Sequence, residues 1–365
     1  MIDEVETTTV TFVLEQHLGH RTYAENLRTG LSDERGLDAQ WVPVTYDVDN
    51  AGRIASLLPT RVTSMLAGRR EVRQGLRRPA TGVRVFNTQV PAAIGGRRAR
   101  SLPYVVVTDV TPIQYDRLSS EYSHRPDRPG PIGRLKHEIN RRVFAQAEWC
   151  VGWSSWAAES ISADYGVDKE RVVVIPPGVD TNRWQPNPHE SRDGFRVLFV
   201  GGEFERKGGT ALLEAFKSLS PRAELYLVTK SAVPRSERVH VIDDLLPNDP
   251  RLVELFKSCN VFALPSLAET FGIAAVEASA AGLPIVASAV GGLTDIVVPG
   301  RTGFTVPAGD TEQLAATLRR LEDEPDLCRR LGSEARKRAV ELFDATTNAH
   351  RLFDLACSKG PSVAR

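Results

Sequence analysis

Residues 265–292, PSLAETFGIAAVEASAAGLPIVASAVGG, constrain the fold more than any other part of the sequence. An apolar run ends just before this segment, and small residues then predict a helix from about Gly272 to Ala280. A Gly-Leu-Pro turn ends the helix before a strand over residues 285–288. A strand, a helix and a second strand in this order are typical of an α/β protein.

Two glutamates flank the glycine loop at the start of this helix. Glu269 and Glu277 stand eight residues apart, with Phe271, Gly272 and Ile273 between them. Amides at a helix start can face an anion, and a carboxylate further along the helix can accept hydrogen bonds from hydroxyl groups. A phosphorylated sugar carries both kinds of group. Acids on a helix and small residues packed against a sheet would give the same pattern, so the segment alone leaves both interpretations open.

Length and charge limit the number of domains and the class of protein. A chain of 365 residues is long for one domain and sufficient for two. The 46 basic residues balance the 46 acidic ones, so no global field favours a nucleic acid or a membrane. The hydrophobic content of 41% is that of an ordinary globular protein.

Cysteine usage and the chain start indicate a cytoplasmic protein without a bound metal. The four cysteines form no CxxC pair or Cys/His cluster, so we expect reduced thiols and neither a structural zinc nor another cofactor. The first residues are acidic and lack the apolar core of a signal peptide. No apolar run reaches the length of a membrane span.

The N-terminal half begins with a predicted strand over residues 8–14, followed by Gly19 and His20, which open a predicted helix over residues 22–31. This geometry is common for ligand loops in open α/β sheets, although GxGxxG is absent. His17 and His20 could serve an acceptor or cap the helix. Asp109 follows the predicted strand 103–108, and it could face a ligand or cap the next turn.

Polar residues 179–194 change the character of the chain and mark a domain boundary. We therefore predict an N-terminal domain over residues 1–180 and a C-terminal domain over residues 190–342, followed by a final helix and tail over residues 343–365.

Arginines are concentrated in residues 61–100, which contain ten of them, no lysine and one acid, Glu71. Part of this segment, from Thr60 to Arg78, has the apolar spacing of a helix. The basic face is either a solvated helix surface or a peripheral contact with anionic lipid headgroups or an anionic acceptor.

A second glycine loop, residues 201–209, carries Arg206 and Lys207 just before a helix. Glycines allow the backbone to approach an anion, and a helix N-terminus favours negative charge. The loop does not match GxxxxGK[ST], and solvated bases in an ordinary strand–helix turn are the alternative. Together with the loop at residues 271–273, it predicts a diphosphate held between two helix starts.

The order of motifs over residues 172–309 resembles that of glycosyltransferase family 4, the retaining enzymes of GT-B fold. The motifs are VVVIPPGVDTNRW, FVGGEFERKGG, the segment 265–292 with the following LTDIV, and GRTGFTVPAGD. The resemblance implies an α/β protein with two Rossmann-like domains and a cleft between them. It further implies that the domain over residues 1–180 binds the acceptor and that the domain over residues 190–342 binds the nucleotide-sugar donor. It also implies a C-terminal helix that crosses back to the first domain, for which residues 346–358 are the candidate.

The same resemblance gives the acids and the lysine separate roles. It implies that Glu277 binds the ribose hydroxyls of a nucleotide and that Glu269 lies beside the donor sugar. The amides of residues 271–273 and the side chain of Lys207 would hold the diphosphate. The implied activity is a metal-independent, retaining transfer from a nucleotide-diphosphate-sugar to a glycan, lipid or small-molecule acceptor.

Three positions depart from the family pattern. Gly202 stands where many members have an arginine, and we expect Arg206 to take over its contact with the donor. Asp109 follows Thr108 where many members have a histidine, so Asp109 is a candidate for both catalysis and acceptor binding. Gly19 is single where a Gly-Gly pair is frequent, and with His20 it is a candidate for acceptor binding.

Other functions stay open at this stage. A nucleotide-sugar epimerase or hydrolase would share the fold, and so would a catalytically inactive binding protein. Glu269 could act as a nucleophile or position the sugar. A nucleic-acid module is disfavoured, because the Arg-rich segment lacks interleaved aromatic residues. No residue pattern specifies the nucleobase, the sugar, the acceptor or the oligomeric state.

Overall fold

The computed structural model describes residues 7–51, 59–77, 81–127, 130–186, 194–233 and 236–361. The first six residues, the end of the predicted helix Thr60–Arg78 and residues 187–193 of the predicted boundary lie outside the described residues. The described residues form two compact units. Unit 1 takes its residues from Met1–Arg117, Arg125–Pro176 and Thr346–Arg365, and unit 2 from Leu118–His124 and Pro177–Ala345.

The sheet of unit 1 has six parallel strands in the order β2-β1-β3-β4-β5-β6. The strands are β1 Thr8–Glu15, β2 Leu37–Val44, β3 Val83–Asn87, β4 Tyr104–Thr108, β5 Trp149–Gly152 and β6 Val172–Val174. The central strands β3 and β4 are buried along their whole length and are rich in valine, as expected of parallel strands covered on both faces.

Helices of unit 1 pack their apolar stripes against this sheet. They are α1 Leu18–Gly30, α2 Thr60–Gly75, α3 Gln89–Ile94, α4 Pro112–Arg117, α5 Pro131–Gln146 and α6 Ser155–Tyr165. One core cluster joins strand residues to helix residues, among them Val13, Phe86, Val106, Val72, Phe144 and Ile161.

The sheet of unit 2 also has six parallel strands, in the order β12-β11-β10-β7-β8-β9. The strands are β7 Arg196–Val200, β8 Glu224–Val228, β9 Val239–Ile242, β10 Val261–Leu264, β11 Ile285–Ser288 and β12 Gly303–Val306. The helices between and after them are α7 Gly209–Phe216, α8 Pro250–Ser258, α9 Ile273–Ala280, α10 Leu293–Ile296, α11 Thr311–Asp323 and α12 Pro325–Leu342.

Local sequence signals set several helix starts. Ser154 accepts a hydrogen bond from the Ala157 amide at the start of α6, as the sequence predicts. Asp249 caps α8 in the same way and is followed by Pro250 in the first helical position. Gly208 and Gly272 stand before α7 and α9 with φ of 78° and 101°, a conformation that favours glycine.

The last helix, α13 Ala345–Cys357, packs within unit 1 although it directly follows the last helix of unit 2. Asn348 Nδ2 donates to the Pro176 carbonyl at 3.1 Å, and Trp149 Nε1 donates to Ser358 Oγ at 3.1 Å. Leu352 on the same helix is buried. This is the crossover that the resemblance implies for residues 346–358.

In each sheet, successive strands are added first on one side of the starting strand and then on its other side, so the strand order reverses at one point. In unit 1 the reversal falls between β1 and β3, and in unit 2 between β7 and β10. Loops that leave the carboxyl ends of such neighbouring strands diverge and leave a crevice, which is where open α/β sheets bind ligands. The two glycine loops of the sequence are the loops after β7 and β10, so the topology brings them together. No helix among the described residues is both long and apolar enough to cross a bilayer.

Candidate active site

The two glycine loops of unit 2 pack directly against each other. The Leu267 amide donates to the Arg206 carbonyl at 2.8 Å. A Cβ atom on Gly208 would lie 1.9 Å from the carbonyl oxygen of Pro265, so only glycine allows the loops to approach this closely. The approach places the side chains that follow β7 beside those that follow β10.

A buried ion pair joins the loops. Lys207 Nζ donates to Glu269 Oε2 at 2.8 Å, and the two side chains are 17% and 7% exposed. The lysine stem runs over Gly201, where an added Cβ would lie 2.4 Å from Lys207 Cδ. Glu269 is the buried partner and Lys207 the half-buried one, so the pair offsets the cost of burying the Glu269 carboxylate.

Both helices that follow the loops begin without a side-chain cap. The residue before each helix is a glycine, which has no side chain to cap the first turn. The first amide of α7, that of Gly209, donates to the Phe204 carbonyl at 2.8 Å, and the following amides of each first turn are suited to an anion. Phe271 contributes only backbone here, because its ring is buried and packs 6.4 Å from the Phe343 ring. The loop Phe271–Gly272–Ile273 thus lies at the start of α9, as the sequence predicts.

Glu277 occupies the second turn of α9 and is 6% exposed. Burial raises the pKa of Glu277 to about 8, and the positive charge of Arg183 opposes this shift. No hydrogen bond or ion pair to its carboxyl group is found among the residues that the structure describes. A buried carboxyl group of this kind is available for a hydroxyl ligand.

Arg206 is placed differently from Lys207. Its guanidinium donates to the Ala268 carbonyl at 2.6 Å, to Glu203 and to Tyr122, and lies 4.0 Å from Glu269 Oε2. These contacts hold the loop after β10 and leave Arg206 tied to protein groups. Gly202 has open space around its Cα, with no atom within 4 Å of an added Cβ.

A polar cluster lies at the reversal point of the unit 1 sheet. His20 Nδ1 lies 3.2 Å from Asn87 Oδ1, and His20 Nε2 lies 3.6 Å from Asp109 Oδ1. Glu15 at the end of β1 accepts a hydrogen bond from Tyr46 Oη. Burial raises the pKa of Glu15, and the charge of nearby His20 opposes the shift. The carboxyl ends of β1, β3 and β4 thus carry convergent polar side chains.

The structure corrects the predicted position of Gly19 and His20. We expected Gly19 and His20 to open a helix over residues 22–31, but α1 begins at Leu18, so both lie in its first turn. His17 occupies the position before the helix without capping it, and its ring stacks on Tyr46 at 5.3 Å. His20 and Asp109 are brought together, as a shared ligand site would require, whereas Gly19 contributes only helix backbone.

Four residues of these sites escaped the sequence analysis: Glu15, Asn87, Tyr122 and Arg183. Glu15 and Asn87 are the last residues of β1 and β3, so their position at strand ends was a usable signal. Tyr122 and Arg183 reach their sites through irregular loops, and no periodicity or motif marks them. Among the described residues, no group of three or more His, Cys, Asp or Glu is arranged to hold a metal ion.

Comparison with known proteins gives the family. Residues 180–338 match the family described as "Glycosyl transferases group 1", and residues 19–183 match "Glycosyltransferase Family 4". A sequence relative is the MMP alpha-(1->4)-mannosyltransferase of Mycolicibacterium hassiacum, 37% identical over 220 residues, which are 56% of this chain and 53% of that protein. The chain spans about half the length of the sequence relatives that it matches.

Solved structures share the fold over almost the whole chain. Sucrose-phosphate synthase from Thermosynechococcus elongatus superposes with a TM-score of 0.78 at 20% identity, covering 95% of this chain and 98% of that one. The Anabaena protein HepE in complex with UDP-glucose superposes with a TM-score of 0.66 at 17% identity, with the same coverage. These likenesses confirm the predicted α/β fold class of GT-B type. The family follows from the sequence: the two family matches together span residues 19–338, and with the motif order they show that the chain belongs to glycosyltransferase family 4.

Proposed function

We propose that this chain transfers a sugar from a nucleotide-diphosphate-sugar to an acceptor with retention of configuration. The observation that carries the proposal is the Lys207–Glu269 pair, set at the reversal point of the unit 2 sheet between two uncapped helix starts. A diphosphate needs positive charge and amide donors, and a sugar needs a hydrogen-bonding carboxylate. The UDP-glucose bound to HepE supports a donor of this class.

Leaving-group stabilisation falls to Lys207 and the two helix starts. Breaking the bond between sugar and diphosphate builds negative charge on the diphosphate. Lys207 supplies a full positive charge, and the first-turn amides of α7 and α9 supply the partial charges of two helix dipoles. We propose that these groups carry the charge without a metal ion. Gly202, by leaving open space, allows the donor to approach the backbone.

Glu269 acts in this proposal as a sugar-positioning carboxylate. A nucleophile would need a free oxygen directed at the anomeric carbon, whereas Glu269 Oε2 already accepts a hydrogen bond from Lys207. The pairing favours attack by the acceptor hydroxyl on the same face that the diphosphate leaves. The bond from the anomeric carbon to the diphosphate breaks, the bond to the acceptor oxygen forms, and the hydroxyl proton passes to the departing diphosphate.

Glu277 is proposed to bind the ribose. Because its pKa is raised to about 8, it is largely protonated at neutral pH in the unliganded protein. A protonated carboxyl group can donate one hydrogen bond and accept others, which suits a pair of neighbouring hydroxyl groups. In unit 1, the His20–Asp109 pair offers the corresponding contacts for a hydroxyl-bearing acceptor, with Asp109 as its catalytic candidate.

A nucleotide screen followed by product analysis tests the proposal. We expect UDP, GDP or ADP to raise the thermal unfolding midpoint, since a ligand at 100 times its Kd adds about 2.7 kcal/mol to the free energy of unfolding. The matching nucleotide-sugar should then release nucleotide only when an acceptor is present, with the donor's anomeric configuration seen by NMR in the product. Release without an acceptor would favour a hydrolase or epimerase. Absence of nucleotide binding would favour an inactive binding protein.

We also propose that unit 1 contacts anionic membrane surfaces through helices α2 and α5. On α2 the exposed residues are apolar in the first turns and basic further on: Val62, Met65 and Leu66, then Arg69, Arg70 and Arg73. On α5 a stripe of Ile132, Leu135 and Ile139 is 72%, 60% and 39% exposed. Both helices pack on α3. Exposed apolar residues beside arginines suit an interface of anionic lipid.

Charge reversal on α2 tests the membrane contact. Each arginine near an anionic surface contributes about 1 kcal/mol, so Arg69→Glu with Arg70→Glu should lower binding to phosphatidylglycerol vesicles by at least about tenfold. The measurement is co-sedimentation at two salt concentrations, against phosphatidylcholine vesicles. The matched control, Arg329→Glu with Arg330→Glu on α12, reverses two exposed arginines of unit 2. Equal binding by the two double variants would contradict the proposal.

A further inference from the structure

The segment Leu118–His124 is placed unexpectedly. It connects α4 to α5, two helices of unit 1, yet its residues pack with unit 2. Within the segment, the Tyr122 amide donates to the Leu118 carbonyl at 3.1 Å and the His124 amide donates to the Ser119 carbonyl at 2.9 Å. The chain thus forms a compact turn that presents Tyr122 to the donor-side loops.

Tyr122 contacts Arg206 in two ways. The Arg206 guanidinium carbon lies 4.2 Å from the centre of the Tyr122 ring, and Arg206 Nη1 donates to Tyr122 Oη at 3.3 Å. Arg206 is 8% exposed, so the cation is stacked on the ring away from bulk water. Cation–π contacts contribute more in such a desolvated setting than at an exposed surface.

Arg206 in turn fixes the loop that carries Glu269. Its Nη1 donates to the Ala268 carbonyl at 2.6 Å, and its own carbonyl accepts from the Leu267 amide at 2.8 Å. Nη1 also lies 4.0 Å from Glu269 Oε2, the atom that Lys207 contacts from its other side. The orientation of the Glu269 carboxylate therefore depends on the position of the Arg206 guanidinium.

We propose that Tyr122 is a positioning residue for the sugar half of the donor site, acting through Arg206 on Glu269. The inference rests on the proposed function, because it assigns the sugar contact to Glu269. It adds a residue from the N-terminal half of the sequence to a site otherwise built by the C-terminal half. Tyr122 acts on the sugar contact and leaves the nucleotide contacts of Glu277 and Lys207 in place.

The test compares Tyr122→Phe and Tyr122→Ala in the full chain. The cation–π range of about 0.5–2 kcal/mol corresponds to roughly 2- to 30-fold, so Tyr122→Ala should lower kcat about tenfold or more and Tyr122→Phe only a few-fold. Affinity for the nucleoside diphosphate, whichever of UDP, GDP and ADP binds tightest, should stay within about twofold of wild type in both variants, since Glu269 faces the sugar. Tyr226→Phe is the matched control, because it also removes a hydrogen-bonded phenol oxygen from unit 2.

A double variant separates positioning from general stability. If Tyr122 acts through Arg206, Tyr122→Ala combined with Arg206→Met should be no slower than Arg206→Met alone. Additive losses, unchanged turnover in Tyr122→Ala, or an equal loss of nucleotide affinity would each overturn the inference. A wild-type chain without transfer activity would instead refute the proposed function, so the two failures are distinguishable.

Discussion

Replacing Lys207 with alanine is expected to lower kcat/KM for sugar transfer by about 10²- to 10³-fold, the range for removing one preorganised electrostatic contact to developing charge. Lys207 Nζ lies at the junction of the two glycine loops, where the diphosphate charge would grow as the sugar leaves. The backbone amides of the helix starts remain in the variant, which is why the loss has a limit. Steady-state kinetics with the nucleotide-sugar identified by the binding screen give the measurement.

Loss of stability would lower activity in the same variant, so it needs its own control. Removing Lys207 leaves the buried Glu269 carboxylate with only the more distant Arg206 guanidinium, 4.0 Å away. Because Arg206 remains, we expect the loss of stability to stay below the range of about 3–5 kcal/mol that a fully unpaired buried charge would cost. Combining Lys207→Ala with Glu269→Gln removes that buried charge. We expect the double variant to regain much of the thermal unfolding midpoint and none of the turnover.

Lys217→Ala is the control variant for Lys207→Ala. This lysine lies just after α7, is 71% exposed and pairs only with Glu214 among the contacts described. We expect the Lys217→Ala variant to keep wild-type turnover, because an exposed ion pair contributes at most about 1 kcal/mol to the free energy of unfolding. Recovery of both stability and turnover in the double variant would show that Lys207 serves only to neutralise Glu269.

The sequence predicted the donor-side geometry because its signals are local. Glycine loops before helices, strand–helix alternation and the order of motifs all fix where Lys207, Glu269 and Glu277 stand along the chain. Once the loops after β7 and β10 are adjacent at the strand reversal, their side chains meet without further information. The family resemblance added roles to positions that the pattern had already selected.

Prediction failed where contacts depend on the path of a loop through space. Tyr122 is 84 residues from Arg206 in the sequence, and nothing near Tyr122 signals that its segment packs with unit 2. The start of α1 was misplaced because glycine usually ends or precedes helices, whereas Gly19 lies inside the first turn. The expected substitution of Arg206 for the missing arginine at Gly202 is weakened by the protein contacts that occupy its guanidinium.

Glu277→Gln should stabilise the protein at alkaline pH while weakening donor binding. The ordinary pKa of a glutamate is 4.5, and burial raises that of Glu277 to about 8. Between these values the folded chain keeps a proton that the unfolded chain has released, so the free energy of unfolding falls as pH rises, by up to about 1.4 kcal/mol per pH unit. Glutamine carries no such penalty, and the stability gained by the variant should grow from pH 5 to pH 8.

The two effects of Glu277→Gln have separate measurements. Thermal unfolding at pH 5, 6, 7 and 8 should show near-equal midpoints at pH 5 and a higher midpoint for the variant at pH 8. The difference at pH 8 should correspond to a gain in the free energy of unfolding on the order of a few kcal/mol. Calorimetric titration with the nucleoside diphosphate should show affinity reduced about tenfold or more, because a hydrogen bond to a charged or strongly polar group contributes about 1.5–3 kcal/mol.

Glu312→Gln, an exposed glutamate in the first turn of α11, is the control and should change neither quantity beyond experimental scatter. A stability difference that does not vary with pH would contradict the buried, protonated state of Glu277. Unchanged nucleotide affinity would contradict its contact with the ribose. Stability gained together with binding lost is the pattern expected of a ligand site, because the buried carboxyl group that destabilises the free protein is the group that the ligand uses.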